Sequence, residues 1–253
     1  MDNSEFIKIA RKAIKERLSL GDLITKLVNL IDEMEKAENT MFKGVFDLYF
    51  MYYPEAASLL KEREPFIETM AKGFERKEVS AVLGVSESSM GYDLSEEDKS
   101  MLSLQINELK NISDVRTMTK TYLAALISKN YPNLYGIAGD IVSARLIALS
   151  GGIKRLVFMP SSKIQILGSE SALFRGSKRT PKYGVIYKIP LIEDAQQDKR
   201  GKIARAVAAK ISIAAKIDLF SKKDESADLK KQLDAEMERI NKAATRKKRH
   251  VFK

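Results

Sequence analysis

The chain has 253 residues, of which 44% are hydrophobic and 31% charged, so it can bury a core and is not a disordered segment. It has no Cys and one His, His250 in a basic stretch near the end, which excludes thiol catalysis, His-based triads and most zinc sites. No run approaches the ~18 apolar residues of a membrane-spanning helix, and the first residues lack a signal-peptide pattern.

The net charge of +10 is concentrated in the second half of the chain. Residues 1–136 carry a net charge of −4, residues 137–220 carry +9 and residues 221–253 carry +5. This distribution is typical of an acidic scaffold joined to a module that binds a polyanion, although solvated faces that merely differ in charge would give the same totals. There is no phosphate-cradling glycine loop and no paired carboxylate set, so we expect no enzyme activity, no metal and no cofactor.

Residues 1–18 predict a leading helix, and the chain from 19 to 130 predicts a helical hairpin. Apolar residues recur in steps of four and three, with one gap at Glu38, at Leu20, Ile24, Leu27, Ile31, Met34, Met41, Val45 and Leu48. Such a repeat is the heptad seam of a coiled coil. Pro54 ends the helix, and an irregular stretch interrupted by Pro and Gly follows at about 54–94.

A second long helix is predicted from Ser95, where Ser95 and Asp98 form a capping box. Its apolar seam is Leu102, Ile106, Leu109, Ile112, Val115, Tyr122 and Leu126, and two successive steps of three indicate local overwinding. Two seams of similar length predict a long antiparallel coiled-coil hairpin with a structured tip at about 54–94. A seam can pair with the other helix or with a second copy of the chain, and plain globular helices are the alternative.

The basic half begins with short helices and glycine turns, as at Gly151 and Gly152 after the helix 141–149. The apolar run from Ile164 to Leu167 is a short segment of ambiguous type, which we predict as β-like. Gly168 and the small polar residues after it predict a helix start. Backbone N–H groups there can bind a phosphate or a partner's carboxylate, or merely cap the helix.

Cations then cluster around Pro181, at Arg175, Lys178, Arg179 and Lys182, next to Tyr183. Cations that hold phosphates beside a ring that stacks on a base are typical of nucleic-acid binding, but Tyr183 could equally fold inward. A helix predicted from about Gln196 to Phe220 carries Lys199, Arg200, Lys202 and Arg205 in its first turns. Cations there oppose the helix dipole, so a phosphate partner explains them better than helix stability does. Residues 222–253 are predicted as a basic tail. Its end at 246–249 is a basic cluster, predicted to be unstructured, that could bind RNA nonspecifically or only aid solubility.

Four stretches of this half resemble the Nop domain of box C/D ribonucleoprotein core proteins, a family with a spliceosomal pre-mRNA-processing relative. They are ARLIALSGG at 144–152, MPSSKIQILG at 159–168, ALFR at 172–175 and the chain from RGKIARA at 200–206 to DLFS at 218–221. The resemblance covers about 131–221, the hairpin before it looks like the family's coiled-coil domain, and the archaeal branch looks closest.

The resemblance implies a mainly α-helical, non-enzymatic scaffold with a compact Nop domain after the hairpin. Its Nop domain would bind a composite of kink-turn guide RNA and the ribosomal-type protein that holds the kink. The residues expected at the junction of RNA and kink-turn-binding protein are Gly168, Ser169, Glu170 and Ser171. Those expected on the RNA face are Arg175, Lys178, Lys182, Tyr183, Arg200, Lys202 and Arg205.

The family's coiled coil dimerises, which here implies a seam containing Leu20, Ile24, Leu27, Ile31, Leu109 and Ile112. A separate N-terminal domain of the family docks fibrillarin, the methyltransferase that modifies ribose 2′-hydroxyls using S-adenosylmethionine. That domain is missing before the hairpin, so the chain is either a piece of a longer protein or a short paralogue, and fibrillarin is an expected partner only in the first case. The implied location is cytoplasmic in an archaeon and nucleolar or nuclear in a eukaryote.

Three departures from the family pattern concern the site itself. Ser171 stands where the family has Lys, Tyr183 stands where it has His, and residues 193–197 replace an aromatic segment with His. A paralogue that assembles a different ribonucleoprotein without fibrillarin, or a generic RNA-binding protein, is therefore the alternative function.

Overall fold

The computed structural model of the protein describes residues 6–7, 11, 18–169 and 183–251, and every regular element in these ranges is helical. The α-helices are α1 (Leu20–Tyr52), α2 (Pro54–Ala57), α3 (Arg63–Met70), α4 (Arg76–Leu83), α5 (Glu96–Asn130), α6 (Pro132–Ala138), α7 (Asp140–Ser150), α8 (Ile153–Phe158), α9 (Ser161–Ile166), α10 (Pro190–Glu193), α11 (Gln197–Lys216) and α12 (Ser226–Val251). A 3-10 helix spans Val185–Lys188, and a π-helix spans Ile217–Ser221. The predicted mainly α fold is confirmed, and most of the predicted leading helix lies outside the described residues.

The chain divides into two compact units, one formed by residues 29–120 and the other by residues 1–28 with 121–253. Within 29–120, α1 and α5 run antiparallel, because Glu38 contacts Arg116 while Met51, further along α1, lines a groove with Met101 near the start of α5. The predicted capping box begins α5, since the Asp98 N–H donates to Ser95 Oγ at 3.2 Å and the Ser95 N–H donates to Asp98 Oδ2 at 3.2 Å.

The buried faces of the two long helices agree with the predicted seams only in part. The buried residues of α1 include Ile24, Val28, Ile31, Glu38, Val45, Tyr49 and Tyr52, and those of α5 are Leu102, Ile106, Leu109, Arg116, Leu123 and Ile127. Both sets keep steps of three, four or seven, because a charged residue fills each apparent gap. The overwinding predicted at Val115 is therefore wrong, since Val115 and Tyr122 are exposed and Arg116 lies in the seam.

Glu38 and Arg116 form a buried ion pair between α1 and α5. Arg116 Nε lies 2.5 Å from Glu38 Oε2, and Glu38 has no exposed surface. A third group, Arg63 at the start of α3, places its Nε 3.2 Å from Glu38 Oε1 and donates from Nη1 to Asn39 at 2.6 Å. Because a buried charge must be paired, these contacts fix which turn of α1 faces which turn of α5.

The tip of the hairpin is a small core around Phe66 of α3. Its ring lies 5.5 Å from the ring of Phe42, 5.8 Å from that of Phe46 and 5.6 Å from that of Tyr49, all on α1. The contacts with Phe42 and Tyr49 are edge-on and that with Phe46 is tilted, and such contacts add to the burial of apolar surface. They explain how the short helices of the tip hold to the end of α1 despite an irregular sequence pattern.

A buried carboxylate organises the start of α6 in the second unit. Asp218 of the π-helix accepts hydrogen bonds from the backbone N–H groups of Asn133 (3.1 Å) and Leu134 (2.8 Å) and from Asn133 Nδ2 (2.7 Å). The two backbone N–H groups are donors that the first turn of a helix leaves unpaired after Pro132. The pKa of Asp218 is raised, because the effect of burial exceeds the lowering by the same hydrogen bonds.

Two predictions in this unit are wrong. The apolar run predicted as β-like forms the end of α9 at 164–166 and the turn directly after it, and Ile164 and Leu167 are both buried. The basic cluster at 246–249, predicted to be unstructured, belongs to α12 (Ser226–Val251), whose residues Leu229 and Leu233, four positions apart, are buried.

Candidate nucleic-acid interface

Two tyrosines and one arginine form a stack on the basic half. The rings of Tyr183 and Tyr187 are stacked with centroids 5.4 Å apart and planes 30° apart. Arg200 Cζ lies 5.2 Å from the centroid of Tyr187, within the range of a cation–π contact. Tyr183 is half-buried and lies on another ring, so it is not part of the hydrophobic core.

Backbone hydrogen bonds hold this stack beside the predicted junction. The Gly184 N–H donates to the carbonyl oxygen of Gln165 at 2.8 Å, and the Val185 N–H donates to that of Leu167 at 2.8 Å. Gly184 is required here, because a Cβ atom would lie 1.8 Å from the carbonyl oxygen of Leu167. The stack and the Gly168 turn, predicted as separate parts of one interface, are therefore neighbours.

Gly168 and Ser169 differ locally from the prediction of a helix start. Gly168 has a φ of 86° in the turn after α9, a conformation that favours glycine. The Ser169 N–H donates to the carbonyl oxygen of Ile166 at 3.1 Å, and the Ser169 hydroxyl donates to the same oxygen. This N–H is thus used within the chain, and Gly168 beside it is exposed.

The basic residues of α11 lie on its first turns. Lys202 and Arg205 are exposed, one turn apart, on the side opposite the buried Ile203 and Val207. Arg200 is half-buried, and its Nη2 donates to the carbonyl oxygen of Glu193 at 2.8 Å. The side chain of Gln196 does not cap α11, so the backbone N–H groups at the start of the helix keep their partial positive charge. The cations of the first turns add to that charge.

Five predicted site residues lie outside the described residues, namely Glu170, Ser171, Arg175, Lys178 and Lys182. The structure thus brings together Gly168, Ser169, Tyr183 and Arg200, with Lys202 and Arg205 further along α11. Sequence reasoning missed Tyr187, which joins Tyr183 to Arg200. Its signal was a second tyrosine four residues after the first, within a basic segment.

The predicted dimer seam is partly used inside the chain. Ile24, Ile31 and Leu109 are buried, while Leu20, Leu27 and Ile112 are half-buried. Only the half-buried members have surface left for a second copy.

The described part of the chain has no helix long and apolar enough to cross a membrane. Nor do its described residues include a group of three or more His, Cys, Asp or Glu side chains placed to hold a metal ion.

These features define a mainly α-helical protein with a basic surface beside a stack of tyrosine rings. The family model described as "Nop: snoRNA binding domain, fibrillarin" matches residues 30–242, and the chain belongs to this family.

Among curated relatives, an uncharacterized NOP5 family protein of Methanocaldococcus jannaschii is 31% identical, over 83% of this chain and 55% of that protein. Nucleolar protein 58 of Botryotinia fuckeliana is 33% identical, over 79% of this chain and 38% of that protein. The chain thus spans about half or less of the length of these relatives. A crystal structure of a fibrillarin/Nop5p complex contains a chain of the same fold, with a TM-score of 0.59 and 22% identity over 94% of this chain and 80% of that one.

Proposed function

We propose that this chain is a non-catalytic scaffold of a box C/D ribonucleoprotein. In this proposal its basic half binds a composite of kink-turn guide RNA and the kink-turn-binding protein, and its hairpin binds a second copy. The particle so formed supports guided ribose 2′-O-methylation. Fibrillarin is a partner only of a longer form with a docking domain.

The main support for the proposal is that two predicted parts of the interface, the segment at Tyr183 and the turn at Gly168, are neighbours in the structure. The stack of Tyr183, Tyr187 and Arg200 lies beside the exposed turn at Gly168, and Lys202 and Arg205 extend the positive surface along α11. Aromatic faces take unstacked bases, and cations take the phosphates between them. One face of the chain thus offers both a ring for RNA and an exposed turn for a protein.

Salt dependence tests the electrostatic part of the proposal. If about five to seven cations contact phosphates, the logarithm of the binding constant should fall with the logarithm of salt concentration at a slope of roughly −3.5 to −6. Arg200→Glu should weaken binding without changing helicity, because it reverses the charge under the tyrosine stack. A slope near zero would contradict the electrostatic part of the proposal. If Arg200→Glu binds like the wild type, α11 is not part of the RNA face.

The surface proposed for self-association is the outer face of α1. Leu30, Leu48 and Met51 are exposed by 45%, 51% and 52%, and Met34 and Met41 between them are half-buried. These positions repeat in steps of four, seven, seven and three, the spacing of a second heptad seam next to the buried one. A further exposed stripe, at Met101, Leu104, Val115 and Met118, runs along α5.

Leu30→Lys tests this surface, because a buried ammonium in a dimer seam is costly. We expect sedimentation equilibrium to show weaker self-association for Leu30→Lys than for the wild type. The control is Asn29→Lys, which adds the same charge at an exposed neighbouring position and should self-associate like the wild type. Equal behaviour of the two variants, or a wild-type chain that is monomeric at high concentration, contradicts the proposal.

The alternative function is a paralogue that assembles a different ribonucleoprotein. The observation that favours it is the tyrosine at 183, which extends the stack through Tyr187 in place of the histidine that the family resemblance leads one to expect. A binding competition between a box C/D guide and another kink-turn RNA tests this alternative. Preference for the other RNA would support it.

A further inference from the structure

A groove of about 390 Å³ lies at the tip end of the hairpin unit 29–120, between the last turns of α1 and the first turns of α5. It is lined mainly by apolar side chains, which include Leu48 and Met51 of α1, Tyr92 of the segment before α5, and Met101 of α5. These four side chains are 51%, 52%, 61% and 58% exposed. Large apolar side chains grouped and exposed in this way are typical of a surface that binds a partner.

Hydrogen bonds hold the segment that carries Tyr92 against the end of α1. The Tyr92 N–H donates to the carbonyl oxygen of Met51 at 2.8 Å. Arg76 Nη2 donates at 2.8, 3.1 and 3.1 Å to the carbonyl oxygens of Tyr52, Gly91 and Tyr92. Gly91 is required at this close approach, because a Cβ atom would lie 2.1 Å from the carbonyl oxygen of Tyr52. This wall of the groove is therefore in place before a partner binds, which lowers the ordering cost of binding.

The segments that form the groove are acidic. Residues 47–51 and 92–105 contain five carboxylates, all exposed, at Asp47, Asp93, Glu96, Glu97 and Asp98. Their one cation is Lys99, whose Nζ lies 2.8 Å from Glu96 Oε1 and is thus already paired. The whole of 29–120 has 18 Asp and Glu against 11 Lys and Arg, a net charge of −7 in a chain whose total is +10.

Charge and shape together select the class of partner. A polyanion such as RNA is repelled by this unit, so the groove does not extend the basic surface of the other unit. The described residues form no strand, so an extended peptide finds no sheet edge to pair with. An apolar groove between two helices, with adaptable methionines and an acidic surround, fits a helix that has one apolar face flanked by Lys or Arg.

A second copy of the chain is the competing occupant, because Leu48 and Met51 also belong to the surface proposed for self-association. Its hairpin unit would bring the same carboxylates to the groove, and like charges disfavour that contact. The other members of the self-association surface, Leu30, Met34 and Met41, do not line the groove. They remain available to a second copy while the groove is occupied by another partner.

We propose that the groove binds a basic amphipathic helix of a protein partner. The apolar face of that helix contacts Met51, Tyr92 and Met101, and its cations face the carboxylates of Asp47 and Asp98. The inference goes beyond the proposed function and does not depend on it, because it concerns the acidic unit and involves no RNA.

Methyl NMR of the full chain locates binding in the groove. Met51 and Met101 both line it, so we would label the methionine methyl groups and assign these two signals with Met51→Leu and Met101→Leu. The probe is a synthetic peptide of about four helical turns, with leucines on one face and lysines on the other. One control peptide has glutamate in place of lysine, and a second keeps the lysines but has serine in place of leucine.

We expect the leucine–lysine peptide to shift the Met51 and Met101 signals saturably, with weaker binding at higher salt, and the two control peptides to leave them unchanged. No shift with the leucine–lysine peptide overturns the proposal. An equal response to the glutamate peptide removes the role of charge and overturns it. An equal response to the serine peptide shows an acidic surface only and overturns it as well.

Two pairs of variants on α5 test the position of the site. Gln105→Lys places a cation in the groove and should weaken peptide binding about five- to tenfold, whereas Asn107→Lys adds the same charge at an exposed position outside it. Met101→Ala, followed by the Met51 signal, should weaken binding about three- to tenfold, whereas Met118→Ala removes a side chain that is 70% exposed and does not line the groove. The two control variants should bind like the wild type, and equal behaviour within either pair contradicts the proposal.

Leu30→Lys distinguishes the partner from a second copy. This variant should bind the leucine–lysine peptide like the wild type, even though its self-association is expected to be weaker. Loss of peptide binding in Leu30→Lys would assign the groove to the dimer and overturn the proposal. Binding of the kink-turn complex is measured separately, so failure of the peptide titration leaves the scaffold role standing, and failure of the scaffold role leaves the groove.

Discussion

Removal of Arg116 tests the buried ion pair as the determinant of helix register in the hairpin. Arg116→Met keeps the length and apolar stem of the side chain but leaves Glu38, which has no exposed surface, without its closest partner at 2.5 Å. Breaking a buried pair by removing one member costs about 3–5 kcal/mol. Because Arg63 Nε remains 3.2 Å from Glu38 Oε1, we expect the lower end of that range, about 3 kcal/mol.

Hydrogen exchange of the folded chain measures this loss of stability in the two helices that the ion pair joins. A loss of about 3 kcal/mol raises the exchange of the slowest amides of α1 and α5 within 29–120 by about 150-fold. The matched control is Lys36→Met, which breaks the Lys36–Glu33 pair on α1, whose side chains are 71% and 70% exposed. Exposed pairs contribute little, so this control should exchange like the wild type.

The double variant Glu38→Leu with Arg116→Met separates pairing from packing. Replacing a buried pair by apolar residues is often neutral or stabilising, so we expect this variant to recover most of the stability that Arg116→Met loses. If Arg116→Met exchanges no faster than Lys36→Met, the ion pair does not hold the register and the reasoning is wrong.

Three further substitutions have definite expected outcomes. Phe66→Ala should lower the free energy of unfolding by about 3–5 kcal/mol in urea denaturation followed by circular dichroism, because it empties the fully buried site at the centre of the tip. Asp218→Ala should lower the melting temperature more than Asp224→Ala, since Asp218 accepts three hydrogen bonds from buried donors of Asn133 and Leu134; equal melting temperatures would contradict this. Tyr187→Ala should weaken binding of the kink-turn complex by at least about 1 kcal/mol, the value of one stacked base, and Tyr187→Phe should restore it; unchanged binding by Tyr187→Ala would exclude the stack from the RNA face.

The hairpin shows what a hydrophobic pattern predicts and where it fails. Steps of three and four were sufficient to predict two long helices. The residue types at Ser95 and Asp98 predicted the capping box, and Pro54 predicted the end of α1. The steps identified the buried face of α1 only in part: Ile24, Ile31 and Val45 of the predicted seam are buried, whereas other members are half-buried or exposed. The reason is that α1 carries a second apolar seam, with Leu23 and Leu30, interleaved with the buried one. A search for apolar residues also treats Glu38 as a gap, although it is buried and paired.

The candidate site was predictable in its parts but not in its assembly. The cations of α11 and the turn at Gly168 are visible in the sequence as local patterns. The stack depends on Gly184 approaching the backbone of Leu167, a contact between residues far apart in the chain that no periodicity encodes. The helix at the end of the chain was missed because its cations outnumber the two leucines, Leu229 and Leu233, that bind it to the rest of the unit.

The most direct test of the scaffold role is a gel-shift titration of this chain on a kink-turn RNA, with and without the kink-turn-binding protein. A matched RNA whose kink is abolished serves as the control. The account predicts tight binding only to the preformed complex of RNA and protein. Equal binding to either RNA, whether or not the protein is present, would show a generic polyanion surface and contradict the account.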